Sequence, residues 1–185
     1  MLAGASFDAY HMQMVFHLSG TLDPERMRRA GQALLDRHAS LRAAFVNRED
    51  GDVVQVVPEA VTLPWHHLDL TGAGDEAERA AAFERFLAQD RAAHFDVDTP
   101  PLIRLALATV QPDRAELVLT AHHVLFDGWS IPLLMRDLLL LYASHADPTG
   151  LPGTRDYGDF LAWLARCDHE ESARVWAAEL DGVQQ

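Results

Sequence analysis

Residues 10–20 alternate between apolar and polar side chains, which puts Met12, Met14, Phe16 and Leu18 on one face of a strand. Asp23-Pro24-Glu25 then gives a helix start, with Asp as N-cap, Pro at the first position and an acid in the first turn. Met27, Ala30, Leu34 and Leu35 recur at helical spacing to about His38. Leu41 to Val46 and Val53 to Val57 read as two strands around the turn Glu49-Asp50-Gly51-Asp52, and Leu63 to Leu70 as a short extended segment. Asp75 to Ala93 is helical in pattern, with Ala81, Phe83, Phe86 and Leu87 as an uneven stripe.

Leu102 to Thr109 and Glu116 to His122 form two further strands joined through Pro112-Asp113. Ser130 can cap a helix running through Tyr142. A last helix is expected from about Asp156 to Leu180, packing through Tyr157, Phe160, Leu161, Leu164 and Trp176. Strands and helices mixed in this way predict an α/β (α+β) fold with a mixed, mostly antiparallel sheet covered by helices.

The length of 185 residues suits one domain with a full core, and 49% hydrophobic with 23% charged residues is ordinary for a globular chain. The net charge of −13 argues against nucleic acid and against an anionic membrane surface, since both need a basic face. No apolar run approaches the ~20 residues of a membrane span; Pro132, Arg136 and Asp137 break the longest candidate, Ile131 to Leu141. The first eight residues have no basic region or apolar core, so no signal peptide is expected. The single Cys167 cannot form an internal disulfide, and a cytoplasmic setting fits.

Candidate chemistry concentrates in Ala121-His122-His123-Val124-Leu125-Phe126-Asp127-Gly128-Trp129-Ser130. Histidine exchanges protons near neutral pH, as a general base must. Adjacent strand histidines point to opposite faces, so His122 and His123 cannot easily share a role. Gly128 permits a tight turn, and Asp127 can fold back to orient an imidazole or accept an arginine. The pair His66-His67 lacks this spacing and reads as edge polarity. Diverging histidines and the lack of Cys pairs predict no metal site. No Gly-rich phosphate loop or Gly-x-Ser-x-Gly elbow is present.

These residues resemble the His-His-x-x-x-Asp-Gly signature of nonribosomal-peptide-synthetase condensation domains, within the chloramphenicol-acetyltransferase-like superfamily. Two more stretches agree in order. Arg37-His38-Ala39-Ser40-Leu41-Arg42-Ala43-Ala44-Phe45 resembles Arg-His-Glu-x-Leu-Arg-Thr-x-Phe, with Ala39 and Ala43 departing. Tyr157-Gly158-Asp159-Phe160-Leu161-Ala162-Trp163 resembles Tyr-x-Asp-Tyr-Ala-x-Trp, with Phe160 departing.

The resemblance runs from about Tyr10 to Leu180 and is to the N-terminal of two lobes. The family's first motif and its C-terminal lobe have no counterpart in residues 1–185, so this piece alone is expected to be inactive. The resemblance implies amide bond formation between acyl groups held by donor and acceptor peptidyl carrier proteins. Their phosphopantetheine arms carry the substrates, and this chain is expected to bind no cofactor of its own.

By the same resemblance His123 is catalytic, either as general base or by positioning the amine and stabilising the tetrahedral intermediate. His122 supports the loop. Asp127 is structural and paired with a buried arginine, Arg42 first and Arg37 second. Gly128 is a backbone requirement, with its amide near the reacting carbonyl. Trp163 and Ser130 are candidates for the channel. O-acyltransferases of the superfamily share the histidine signature, and a non-catalytic scaffold lobe is the alternative from outside the enzymes.

Overall fold

Asp23 starts the first helix as its sequence predicts: its side chain accepts from the amides of Glu25 and Arg26, two of the donors a helix N-terminus leaves unmet. The computed structural model describes residues 10–182, so the N-terminal segment read above for signal-peptide features lies outside the described residues. In chain order the elements are β1 (His11–Ser19), α1 (Pro24–Arg37), a 3₁₀ turn (Ala39–Arg42), β2 (Ala44–Asn47), β3 (Val53–Val56) and β4 (Trp65–Asp69). They continue as α2 (Glu76–Ala92), β5 (Ile103–Gln111), β6 (Arg114–His122), α3 (Ser130–Ala143), α4 (Tyr157–Leu164) and α5 (His169–Glu179).

The main sheet has the order β1-β6-β5-β4, with only the β4–β5 pair parallel. β2 and β3 form a separate antiparallel pair. The central strands β5 and β6 are apolar almost throughout because helices cover both faces. On one face Leu105, Leu107, Leu117 and Leu119 join Met27, Ala30 and Leu34 of α1 and Leu134, Leu138 and Leu141 of α3. Met12, Met14, Phe16 and Leu18 pack against this cluster, the β1 face expected from the alternation. On the other face Ala106 and Val118 meet Leu87 of α2, with Phe83 and Phe86 beside them.

The contacts divide the chain into two compact units, residues 1–154 and 155–185. The first carries the sheet and α1–α3; the second carries α4 and α5. No helix among the described residues is long and apolar enough to cross a membrane.

Three local expectations change. Leu41 and Arg42 lie in a 3₁₀ turn, and the strand begins only at Ala44, because α1 ends at Arg37 and the chain must reverse before pairing. The single helix expected over 156–180 is two: Asp168 accepts from the amide of Glu171 and starts a new helix after Leu164. Its expected packing residues Tyr157, Phe160, Leu161, Leu164 and Trp176 are all exposed, 66% in the case of Trp176, since neither helix of this unit buries any residue. The helix after the histidines also starts differently. Ser130 is its first residue rather than its cap, and Trp129 occupies the cap position without a side-chain bond.

Candidate active site

The histidine motif is where the sheet hands over to a helix. β6 ends at His122, and the amide of His123 adds one more rung by donating to the carbonyl of Tyr10 at 2.7 Å. The alternation of a strand then separates the two rings. His122 is buried at 8% exposure, whereas His123 is exposed. His122 Nδ1 accepts from the amide of Val124 at 3.2 Å, a bond that ties the ring to its own turn. Its backbone is held as well, the amide donating to Leu102 and the carbonyl accepting from Leu125. Leu125 and Phe126 reach back into the core and anchor the turn.

Asp127 is exposed, and its carboxylate accepts from the Ser130 amide at 3.0 Å and the Ser130 hydroxyl at 2.8 Å. The hydroxyl bond and then the amide bond hold its pKa below the usual carboxylate range, so it is a firm anion at neutral pH. The expected pair with a buried arginine is not formed. An acid three residues before Ser130 sits where the first orphan amides of α3 need an acceptor, and it serves them. Ser130 itself is therefore engaged within the turn.

Both expected partners of Asp127 are committed elsewhere. Arg42 donates to the carbonyls of Leu35, Asp36 and Pro58, placing its charge at the C-terminal end of α1. Arg37 Nε meets Asp137 Oδ2 at 3.2 Å, and its other arm donates to the carbonyl of Pro152. Gly128 has neither a left-handed backbone nor any atom within 4 Å of where a Cβ would stand, so the turn does not require glycine there. Trp129 beside it is 87% exposed. Trp163 belongs to the second unit, on α4, with its ring 5.7 Å from that of Phe160.

Two carboxylates escaped the sequence reading. Asp137 on α3, 2% exposed, accepts from Arg37, His38 and Arg136. Burial raises its pKa, but hydrogen bonds from Arg136, Arg37 and His38 outweigh burial and leave it below the usual value. Its signal was the acid inside the apolar run Ile131 to Leu141, which needed a buried partner. Asp90 on α2 accepts from Gln13, Arg104 and Thr120 at 2.7, 2.6 and 2.5 Å. These donors come from three different strands, and nothing local marks Asp90 for them. The pair His66-His67 lies on the edge strand β4, where His66 stacks on Phe86 and His67 meets the Thr109 hydroxyl. Among the described residues no group of three His, Cys, Asp or Glu could hold a metal ion.

The model of the condensation domain family matches residues 4–185. One of the linear gramicidin synthase proteins of Brevibacillus parabrevis is 33% identical over 176 residues, 94% of this chain and 3% of that protein. Bacitracin synthase 3 of Bacillus licheniformis is 31% identical over 179 residues, 96% of this chain and 3% of that protein. Among solved structures, the SgcC5 protein of Streptomyces globisporus superposes with a TM-score of 0.76 at 31% identity, over 95% of this chain and 40% of that one. The first condensation domain of the calcium-dependent antibiotic synthetase superposes at 0.73 with 23% identity, and supports the fold alone. This chain thus spans a small part of the curated relatives and less than half of the solved chains. The sheet and helices have the chloramphenicol-acetyltransferase-like fold. With the family model matched over nearly its full length, the chain belongs to the condensation domain family.

Proposed function

We propose that this chain is the N-terminal lobe of a condensation domain and supplies the reacting histidine for amide bond formation in nonribosomal peptide synthesis. The observation that carries this reading is the division of labour in the pair: His122 is buried and bonded to its own turn, while His123 stands exposed at the end of the sheet. Peptide synthetases among the relatives, such as bacitracin synthase 3, support the substrate class.

In the reaction, an acceptor amine attacks the carbonyl carbon of the donor thioester. The new C–N bond forms, the C–S bond breaks, and the departing thiolate ends as a thiol. An α-amine has a reference pKa of about 7.7–8.0, so a good share is neutral near pH 7–8. His123 then acts on the proton the amine sheds as it attacks, or holds the amine in line and stabilises the charged intermediate. The Asp127 carboxylate, saturated by Ser130, contributes a fixed turn rather than a proton acceptor. Both substrates arrive on phosphopantetheine arms of donor and acceptor carrier proteins, in the cytoplasm, and the C-terminal lobe completes the site.

Intact-mass detection of product between loaded donor and acceptor carriers tests this, with the whole condensation domain and its His123→Ala variant side by side. Loss of about 10²–10⁴-fold in the variant is the expected result. Equal product in both rules out His123 as the reacting group. Product only with an alcohol acceptor would instead assign an O-acyltransferase. No product from folded protein with either acceptor would favour a scaffold role.

A further inference from the structure

Asp90 lies at the C-terminal end of α2, over the sheet face opposite α1 and α3, with a side chain only 10% exposed. Besides its bonds to Gln13, Arg104 and Thr120, its carbonyl accepts from a second arm of Arg104. Gln13, Thr120 and Arg104 form one cross-strand row on β1, β6 and β5. Two residues along, on the same face, the next row is His11 opposite His122.

A chain of ring contacts joins these rows. The Arg104 guanidinium lies over the Phe95 ring, 4.5 Å from its centroid. The Phe95 ring is stacked on His11 at 5.3 Å and 28°. The His94 ring also meets His11 edge-on, at 5.7 Å. His11 is the ladder partner of His122, the last residue of β6, and His123 follows it directly in the chain. From Asp90 to the histidine turn every step is a packed contact or a ladder pair.

We propose that Asp90 is a positioning residue for the histidine turn, acting through Arg104, Phe95 and His11. The chemistry suits the task. An anion holding Arg104 by its Nε fixes the guanidinium plane, and a fixed plane is what a stacked aromatic ring can register against. Phe95 lies just past the end of α2, so the helix and the strand end bearing His122 are tied by the same side chains. Gln13 and Thr120 pin the strands on either side of the same carboxylate, so the two strands that pair beside the turn cannot slide separately. The catalytic part of this proposal rests on His123 as the reacting histidine; the positioning part does not.

The test uses Asp90→Asn, which removes the charge at constant shape, and Phe95→Leu, which breaks the stack but leaves the ion pair. Imidazole ¹⁵N and ¹³C spectra of this chain report the tautomer and environment of His122 and His123 without any turnover. Both variants are expected to shift the His122 and His123 signals while leaving those of His145 in place. In the whole condensation domain kcat should fall, by up to about 10²-fold, with KM for the carriers unchanged. The double variant should fall no further than the worse single one, because both cut one path. Unchanged His122 and His123 signals in folded Phe95→Leu overturn the proposal, and so do fully additive losses. If Asp90→Asn fails to fold, Phe95→Leu alone decides. Histidine shifts without any loss of kcat would keep the positioning role and remove the catalytic one.

Discussion

Arg37 Nε lies 3.2 Å from Asp137 Oδ2, joining the end of α1 to the middle of α3 with side chains only 11% and 3% exposed. The pair draws in His38, whose Nε2 is 3.1 Å from the same oxygen, and Arg136 on the other oxygen. Two helices that pack through leucines are thereby also registered by charge. Removing one member strands the other, and for such buried pairs the loss is about 3–5 kcal/mol. Asp137→Ala should therefore lower the urea stability of this chain by about 3 kcal/mol, toward the lower end because Arg136 is half exposed. Asp127→Ala, at the acid expected from the sequence to pair with a buried arginine, should cost less than Asp137→Ala, because it removes bonds to Ser130 and leaves no buried charge unpaired.

His38 gives the same cluster a pH dependence. Burial lowers its pKa below 6.5, and the bond to Asp137 offsets this only in part. The folded state thus binds fewer protons than the unfolded state as pH drops from about 6.5 toward the folded pKa. The contribution is complete above pH 6.5 and is lost as pH falls through the folded value. Urea midpoints measured at intervals from pH 7.5 to 5 should decline. A His38→Gln variant should show a shallower decline over that range, and an equal slope in both would exclude His38 as the source.

Gly31 marks the close approach of α1 to the sheet. A Cβ there would stand 2.7 Å from Leu63 Cδ2 and 2.9 Å from Leu105 Cδ1, both in the buried core. Alanine in a helix interior normally gains about 1 kcal/mol over glycine, while forced overpacking costs about 1–3 kcal/mol. Gly31→Ala should come out destabilised, by about 1 kcal/mol in urea. A raised midpoint would mean that the two leucines swing aside freely.

Local patterns revealed most of the architecture because each had a local cause. The β1 alternation, the Asp23-Pro24 start and the continuous apolar runs of β5 and β6 all respond to one face or one cap at a time. The position of the histidine turn was legible for the same reason. Partnerships between distant charges were not. Asp127, Arg37 and Arg42 stood in the right stretches, but the Ser130 amide and hydroxyl, three residues on, engage Asp127, and the acid that meets Arg37 is Asp137 of α3, a hundred residues away in the chain. The α4–α5 break was readable in Asp168, an N-cap residue that a single apolar stripe led the reading to pass over.

The strand order β1-β6-β5-β4 has a consequence for how the molecule is made. Among the described residues β1 is the first strand synthesised, yet its ladder partner, β6, follows about a hundred residues later. At about 5–20 residues per second, Met12, Met14, Phe16 and Leu18 stay unpaired on the ribosome for on the order of 5–20 s. During that time α1 can form, but its main bed, the β5–β6 hairpin, does not yet exist. The histidine turn is the point at which waiting ends, since β6 closes the sheet by pairing with β1 and runs directly into it. Nascent-chain proteolysis should find β1 exposed until residues just beyond 122 have emerged, and protected soon after. Assembly of the sheet and assembly of the histidine turn are then one event.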